Sequence, residues 1–309
     1  MQTIDFVVPM LFHEDEVWQK EYERSTGKEL LPMDFYPLLR SWGTEELVIK
    51  GVLKFMPWIR TIHIILFGES QVQPWMEKYG DKIHIVYHRD FIPEEYLPCF
   101  NSSAIETFIG DIKGLAPMFI YGNDDIYPVA PMEPEDFFRD GKPCQSLSEE
   151  PYTDSIYDRN THRRKCFNEL NLIAPDFKKV FTGTYLVHHH GLSAILRKTC
   201  RDVWKKHDKE IRERVFAERT DRSITQYIYC YWQHLSGKYV NHLPATKVVS
   251  FWDKTAGILE AVNDKDVKVV CVNDDNVANS VWKQVGEKLY AALERRMEQM
   301  EQTENGKEE

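Results

Sequence analysis

The chain has 309 residues, of which 42% are hydrophobic and 13% aromatic, enough for the core of one large α/β domain or two smaller domains. The formal net charge of −10 argues against a nucleic-acid-binding scaffold, although a local basic pocket for a phosphorylated substrate is compatible with it. No apolar run approaches the roughly 20 residues that span a bilayer, and the first residues lack the pattern of a secretory signal. We therefore expect a cytoplasmic protein without a membrane anchor of its own.

Six cysteines are scattered along the chain and form no C-x-x-C pair. They are Cys99, Cys144, Cys166, Cys200, Cys230 and Cys271. This spacing fits a reducing compartment better than a disulfide framework or a zinc site, so we expect buried free thiols.

The first half of the chain alternates strand and helix patterns. Apolar and β-branched runs predict strands over residues 4–8, 61–67 and 82–87 and from Met118 onward. Helical patterns cover residues 44–56, with Thr44 as N-cap, and residues 102–113, with Gly114 as C-cap. This alternation predicts an α/β fold with a mostly parallel sheet and flanking helices.

The pattern weakens after about residue 130, where prolines, Asp and basic residues dominate until about residue 178. Helices are predicted over residues 192–209, 223–234 and 277–302, and a strand over 267–272. We predict one α/β catalytic domain over residues 1–300, with an irregular and helical excursion within 130–240. A polar tail follows over residues 301–309.

The segment Tyr121-Gly122-Asn123-Asp124-Asp125 ends on two adjacent carboxylates just past a predicted strand. Such neighbours repel, and they raise each other's pKa unless a cation lies between them. Hard cations such as Mg²⁺ prefer oxygen ligands, and ligands of open α/β sheets bind at the carboxyl ends of strands. The segment therefore predicts a metal site, with a solvated turn as the alternative because Asn and Asp favour turns.

Five segments follow one another in a recognisable order: residues 56–64 (MPWIRTIHI), 71–75 (QVQPW), 84–90 (HIVYHRD), 97–106 (LPCFNSSAIE) and 114–125 (GLAPMFIYGNDD). In this order they resemble the central conserved region of the Stealth family, which includes bacterial capsular polysaccharide phosphotransferases and the animal lysosomal-enzyme GlcNAc-1-phosphotransferase. Outside this region, His190-Gly191, Arg219 before Gln226, and residues 270–274 (VCVND) resemble later regions of the family.

The resemblance implies a glycosyltransferase-A-like fold and an enzyme that moves a sugar 1-phosphate. The donor would be a nucleotide diphosphate sugar such as UDP-GlcNAc, and the acceptor a sugar or oligosaccharide hydroxyl. The product would be a phosphodiester in capsular or other cell-surface polysaccharide. Such an enzyme needs no nucleic acid, and it could associate peripherally with a polysaccharide synthesis complex at the inner face of the membrane.

The resemblance also implies roles for individual residues. These are metal ligation of Mg²⁺ or Mn²⁺ by Asp124, Asp125 and Asp274, catalytic roles for His190, Arg219 and Asp125, and substrate contacts by Arg40, Asn101, Ser102, Glu106 and Asn123. Structural alternatives exist for most of them. Asn101 and Ser102 could cap the predicted helix, and the two arginines could be salt-bridge partners.

The sequence departs from the family pattern in several places. Phe12 stands where an Asp or Asn is usual, Leu192 and Ala194 replace prolines, and Ser223 replaces a common Asp. The usual C-terminal motif is not recognisable. Two alternatives therefore stay open: a conventional nucleotide-sugar glycosyltransferase, which the same paired acids would serve, and a catalytically inactive homologue that binds glycans or acts as a scaffold.

Overall fold

The computed structural model describes residues 3–30, 40–152, 161–216, 220–250, 254–274 and 278–305. The strands in these ranges are β1 (Ile4–Pro9), β2 (Ile62–Leu66), β3 (Ile83–Tyr87), β4 (Met118–Tyr121), β5 (Ile126–Pro128), β6 (Phe138–Arg139), β7 (Lys142–Gln145), β8 (Leu147–Pro151), β9 (Thr184–His188), β10 (Ser193–Leu196), β11 (Val240–Asn241), β12 (Thr246–Ser250) and β13 (Val269–Asn273). The α-helices are α1 (Glu16–Thr26), α2 (Glu45–Phe55), α3 (Ser102–Thr107), α4 (Thr161–Ile173), α5 (Arg197–Arg212), α6 (Tyr227–Leu235), α7 (Lys254–Asn263) and α8 (Asn279–Asn305).

The larger sheet has the strand order β10-β4-β1-β2-β3. Strands β4, β1, β2 and β3 run parallel, and β10 pairs with β4 in the antiparallel sense. Strand β2 is buried along its whole length, as expected for a parallel strand covered by helices on both faces. The predicted α/β fold with a mostly parallel sheet and flanking helices is therefore confirmed.

A second sheet has the order β12-β13-β5, with β12 and β13 parallel and β5 antiparallel to β13. Because β4 belongs to the first sheet and β5 to the second, the segment between them crosses from one sheet to the other. That segment is Gly122 to Asp125, which the sequence analysis singled out. The end of β13 lies beside it, since the amide of Val272 donates to the carbonyl of Asp125 at 3.0 Å.

The apolar side chains form two clusters, one on each face of the larger sheet. Phe6 and Val8 point into the cluster built with α2, α7 and α8, whereas Val7 between them belongs to the cluster built with α3 to α6. This division follows from the alternation of side chains along a strand. The sheet is thus held rigidly between two layers of helices, which fixes the positions of its strand ends.

Two sequence-based assignments were wrong. Residues 192–209 do not form one helix, because Ala194 and Ile195 pair with β4 as part of edge strand β10, and α5 begins only at Arg197. The helix predicted over 102–113 ends at Thr107 and continues as a short 3-10 turn, Ile109–Asp111. Helices α1, α4 and α7 were not predicted. The prediction of a single domain over residues 1–300 stays a prediction.

Within the described ranges, no helix combines the length and the apolar character that a bilayer crossing requires.

Candidate active site

The two adjacent carboxylates follow β4 on a turn that is fastened at both ends. The amide of Gly122 donates to the carbonyl of Val7 at 3.0 Å, and the amide of Ile126 donates to the carbonyl of Asn123 at 3.2 Å. A Cβ atom at Gly122 would lie 2.8 Å from Leu192 Cδ2 and 3.1 Å from Phe6 Cζ. A glycine therefore lets this turn lie close against the sheet, and it directs Asp124 and Asp125 to the junction of the two sheets.

The electrostatics of this turn favour a bound cation. Burial raises the pKa of Asp124 well above its usual range, and the charges of Asp125 and Glu45 raise it further. Burial also raises the pKa of Asp125, with Asp274 adding to the effect and His190 opposing it. Glu45, at the start of α2, has a pKa raised by its own burial. Three carboxyl groups in one desolvated place are costly unless protons or a cation compensate them.

Two carboxylate oxygens in this group have no hydrogen-bond partner among the described residues. Asp125 Oδ1 is buried and makes no hydrogen bond within the part of the chain that the structure describes, and the same is true of Glu45 Oε1. Buried polar atoms are nearly always paired, so an unpaired carboxylate oxygen indicates a missing proton, ion or ligand.

His190 and Cys271 complete a small cluster with Asp125. One ligand atom from each of the three residues lies within 4.8 Å of the others. His190 comes from the loop between β9 and β10, and Cys271 comes from β13. The hydroxyl of Tyr227 lies 3.0 Å from His190 Nδ1, which fixes the plane of the imidazole. Asp124 and Asp274, both predicted metal ligands, lie outside this cluster.

Arg40 and Asp274 pair with each other at the edge of the site. Nε of Arg40 donates to Oδ2 of Asp274 at 2.7 Å, and Nη2 donates to Oδ1 at 3.0 Å. The guanidinium also lies over the ring of Trp282, 5.2 Å from its centroid. A salt bridge was the alternative predicted for Arg40, and its pair with Asp274 is a salt bridge in which the Arg40 side chain is fully buried. Both carboxylate oxygens of Asp274 therefore accept a hydrogen bond from Arg40.

The predicted substrate-binding residues of α3 have protein partners. Asn101 is the N-cap of α3, since its Oδ1 accepts from the amide of Ser103 at 3.0 Å, and its Nδ2 donates to the carbonyl of Phe216. Glu106 is buried and accepts from the amide of Gln226 at 3.0 Å. Ser102 is the half-buried first residue of α3. The capping alternative therefore describes Asn101, and Asn123 contributes its carbonyl to the acidic turn.

Arg219 lies outside the described residues. Three residues of this site were not predicted from the sequence: Cys271, Tyr227 and Glu45. A signal existed for Cys271, since it stands two residues before Asn273 on a strand that ends at the site, and alternate residues share a face. Nothing local in the sequence marked Tyr227 or Glu45, because both meet the site through tertiary contacts.

An open cleft of about 730 Å³ lies between the residues that follow β1 and α8, and Glu45, whose charge acts on Asp124, is part of its lining. Its lining combines aromatic rings with acids: Phe12, His13, Glu14, Asp15, Ser41, Trp42, Gly43, Glu45, Ser70, Gln73, Trp75, Trp282, Lys283, Gly286, Glu287 and Tyr290. Gln71 of the QVQPW segment is fully buried and bonds both main-chain groups of Phe12, at 3.2 and 3.0 Å. Phe12 is thus held in the wall of the cleft by a motif residue.

Known proteins with similar sequences include a family of conserved regions and several polysaccharide phosphotransferases. Residues 39–145 match the model for Stealth protein CR2, conserved region 2. The receptor polysaccharide phosphotransferase WefC of Streptococcus oralis is 27% identical over 310 residues, covering 89% of this chain and 91% of that protein. The exopolysaccharide phosphotransferase cps2G of Lactiplantibacillus plantarum is 25% identical and covers 96% of this chain and 94% of that protein.

Some solved structures of low sequence identity also resemble the structure of this protein. One is the galactosyltransferase LgtC in complex with donor and acceptor sugar analogs, at 10% identity and a TM-score of 0.44, covering 94% of this chain and 95% of that chain. Another is mouse xyloside xylosyltransferase 1, at 11% identity and a TM-score of 0.41, covering 88% and 98% of the two chains. The matched conserved region, and the polysaccharide phosphotransferases aligned over nearly the whole length, confirm the resemblance of this chain to the Stealth family.

Proposed function

We propose that the protein transfers a sugar 1-phosphate from a nucleotide diphosphate sugar to a sugar hydroxyl during synthesis of capsular or other cell-surface polysaccharide. The names of the aligned relatives support the reaction class. The single observation that carries the proposal is the buried, unpaired oxygen of Asp125 in the same cluster as His190. A base and an acidic cation site at one strand end are what phosphoryl transfer to a hydroxyl requires.

The residues present fit a hard divalent cation, Mg²⁺ or Mn²⁺. Asp124 and Asp125 would hold it, because both are half-buried carboxyl groups with raised pKa values, whose repulsion a cation would relieve. When bound, the cation supplies charge neutralisation for the diphosphate. Asp274 was also predicted as a ligand, but each of its carboxylate oxygens already accepts a hydrogen bond from Arg40. We therefore propose that Asp274 acts through Arg40.

His190 is the proposed general base. Since its Nδ1 is held by Tyr227, Nε2 is the nitrogen left for the proton of the acceptor hydroxyl. The acceptor oxygen would attack the β-phosphorus of the donor, and the bond from that phosphorus to the bridging oxygen would break. The nucleoside monophosphate leaves with the electron pair of that bond, and the acceptor proton stays on His190 until solvent removes it.

The cleft beside the turn is the proposed site for the nucleoside of the donor. Trp42 and Trp282 stack with their centroids 6.3 Å apart, which offers flat apolar surface for a base. Arg40 lies against Trp282 and next to the acidic turn, so its guanidinium could face a donor phosphate while Asp274 orients it. Arg219 is proposed to neutralise a second phosphate oxygen, on the resemblance alone.

The test is to identify the nucleotide that is released. Purified protein with UDP-GlcNAc, Mg²⁺ or Mn²⁺ and a panel of acceptor sugars should release UMP only when metal and acceptor are both present. Release of UDP would instead indicate a conventional glycosyltransferase. Metal-dependent binding of the donor without either product, across a panel of nucleotide sugars, would indicate an inactive homologue. Asp125→Ala should abolish UMP release, whereas the control Asp81→Ala, at an exposed position, should not.

A further inference from the structure

Cys271 is a fully buried thiol that the proposed reaction does not use. It lies on β13, where its backbone pairs with Ile126 of β5, so its position is set by the second sheet. Its sulfur lies within 4.8 Å of ligand atoms from Asp125 and His190. Three separate chain segments therefore bring sulfur, nitrogen and oxygen to one point, although the sequence alone indicated an ordinary buried thiol.

This donor set has a different cation preference from a pair of carboxylates. Thiolate and imidazole are the usual ligands of Zn²⁺ and of similar borderline cations, whereas Mg²⁺ prefers oxygen. In a tetrahedral zinc site with bonds of roughly 2.0–2.3 Å, the ligand atoms lie about 3.5 Å apart. The three ligand atoms would thus need to approach one another by only about 1 Å, a movement that side-chain rotation can supply.

The surroundings of the three ligands are also those of a cation site. The Tyr227 hydroxyl holds His190 Nδ1 at 3.0 Å and so assigns Nε2 to the ligand side. The thiol of Cys271 lies 3.6 Å from Oδ1 of Asn273, a weak bond that is easily given up when the proton leaves. Asp125 Oδ1 is buried without a partner in the described chain. Histidine ligands typically have their other nitrogen held in this way.

We propose that Asp125, His190 and Cys271 form a site for a thiophilic divalent cation of the Zn²⁺ class, bound through carboxylate oxygen, imidazole Nε2 and thiolate sulfur. Binding displaces the thiol proton into solvent as the sulfur–metal bond forms. Asp125 is shared with the proposed Mg²⁺ site, so the two cations exclude each other and Zn²⁺ inhibits Mg²⁺-dependent turnover. That inhibition rests on the proposed function, whereas the binding does not.

The binding is tested with Co²⁺, a coloured substitute for Zn²⁺, added to the full chain without any nucleotide sugar. A thiolate-to-cobalt charge-transfer band should grow to one equivalent and disappear when Zn²⁺ is added. Cys271→Ser should remove the band. Cys230→Ser is the matched control, because this thiol is equally buried and lies outside the cluster; it should keep the band. Absence of the band in the unaltered protein, or its persistence in Cys271→Ser, would overturn the proposal.

A second pair of variants covers the case in which Cys271→Ser does not fold. His190→Ala should weaken Co²⁺ binding by at least about tenfold, whereas His189→Ala, in the same half-buried loop, should leave it unchanged. Equal affinities in both variants would contradict the site. Because the readout is spectroscopic and needs no donor or acceptor, its failure would leave the nucleotide-release experiment unaffected, and a failure of that experiment would leave the cobalt titration unaffected.

Discussion

Arg40 and Asp274 stand 234 positions apart in the sequence and form a two-bond ion pair beside the acidic turn, with distances of 2.7 and 3.0 Å. The Arg40 side chain is fully buried and that of Asp274 is 16% exposed. The pair ties the segment before α2 to the end of β13. It therefore links the segment that contributes Ser41 and Trp42 to the cleft with the strand that carries Cys271.

We expect Arg40→Ala to lower the free energy of unfolding by about 3 kcal/mol, because removing one partner leaves the other charge desolvated and unpaired. Urea unfolding monitored by circular dichroism measures this loss. In a double-mutant cycle with Asp274→Ala, the double variant should be more stable than the sum of the single losses predicts. If the losses in free energy of unfolding were additive, the two side chains would not stabilise each other. Arg40→Lys should restore only part of the stability, because lysine cannot form the two-bond fork.

Asp125→Asn should lower the rate of UMP release by at least about 100-fold, because the amide cannot supply the charge that a cation requires. The thermal unfolding temperature should stay unchanged or rise, since a buried oxygen without a partner in the described chain is costly to keep charged. A parallel loss of activity and of stability would instead indicate a structural role for this carboxylate.

Removal of divalent cations should have the same effect on turnover as the Asp125 variants. We expect EDTA to stop UMP release, and excess Mg²⁺ or Mn²⁺ to restore it fully in the unaltered protein. Restoration should fail in Asp125→Asn at every cation concentration tested. Full activity in EDTA-treated, cation-free protein would contradict the proposed role of the acidic turn.

Tyr227→Phe should lower kcat by about tenfold with little change in donor affinity, because the lost hydroxyl no longer orients His190. The same variant should weaken Co²⁺ binding, which a purely structural role of the ring would not predict. Tyr229→Phe is the control: this tyrosine is also buried on α6, but its hydroxyl donates to the carbonyl of Thr107. Equal effects of the two substitutions on kcat would rule out a specific role for Tyr227.

Asp5 on β1 should make stability depend on pH in the acid range. Burial alone would raise its pKa, but hydrogen bonds from His63, Arg60 and the amide of Ala116 lower the pKa to about 2. Because the folded pKa lies below the unfolded value, the stabilisation is complete above about pH 4 and is lost as the pH falls toward 2.

The shift from 3.8 to about 2 corresponds to about 2 kcal/mol. Urea midpoints measured between pH 5 and the onset of acid unfolding should therefore fall steeply in the unaltered protein. Asp5→Asn should be less stable at pH 5 and should show a flatter pH dependence. An unchanged slope in this variant would assign the acid sensitivity to other carboxyl groups, and Asp81→Asn serves as the exposed control.

The local pattern of the sequence was sufficient to predict the α/β class and the acidic turn. Strands β1 to β4 lie within a residue or two of the predicted ranges. The buried strands β1, β2 and β4 are recognised by their apolar runs, and the edge strand β3 by its alternating polarity; neither signal needs tertiary context. The family resemblance also rests on short sequence motifs, and the matched conserved region, residues 39–145, contains all five motifs between residues 56 and 125. By contrast, β10 was read as helix, since only pairing with β4 makes residues 193–196 a strand.

The sequence by itself determined which chemical groups this chain possesses: two adjacent acids past β4, a histidine before β10 and an acid past β13. Only the tertiary structure decided their partners. It pairs Asp274 with Arg40 and places the hydroxyl of Tyr227 against His190. It also places Cys271, predicted as an ordinary buried thiol, next to Asp125. The physical reason is the distance along the chain over which each interaction acts. Periodicity and turn chemistry act over a few residues, whereas ion pairs and ligand clusters form between segments that meet only when the two sheets are assembled.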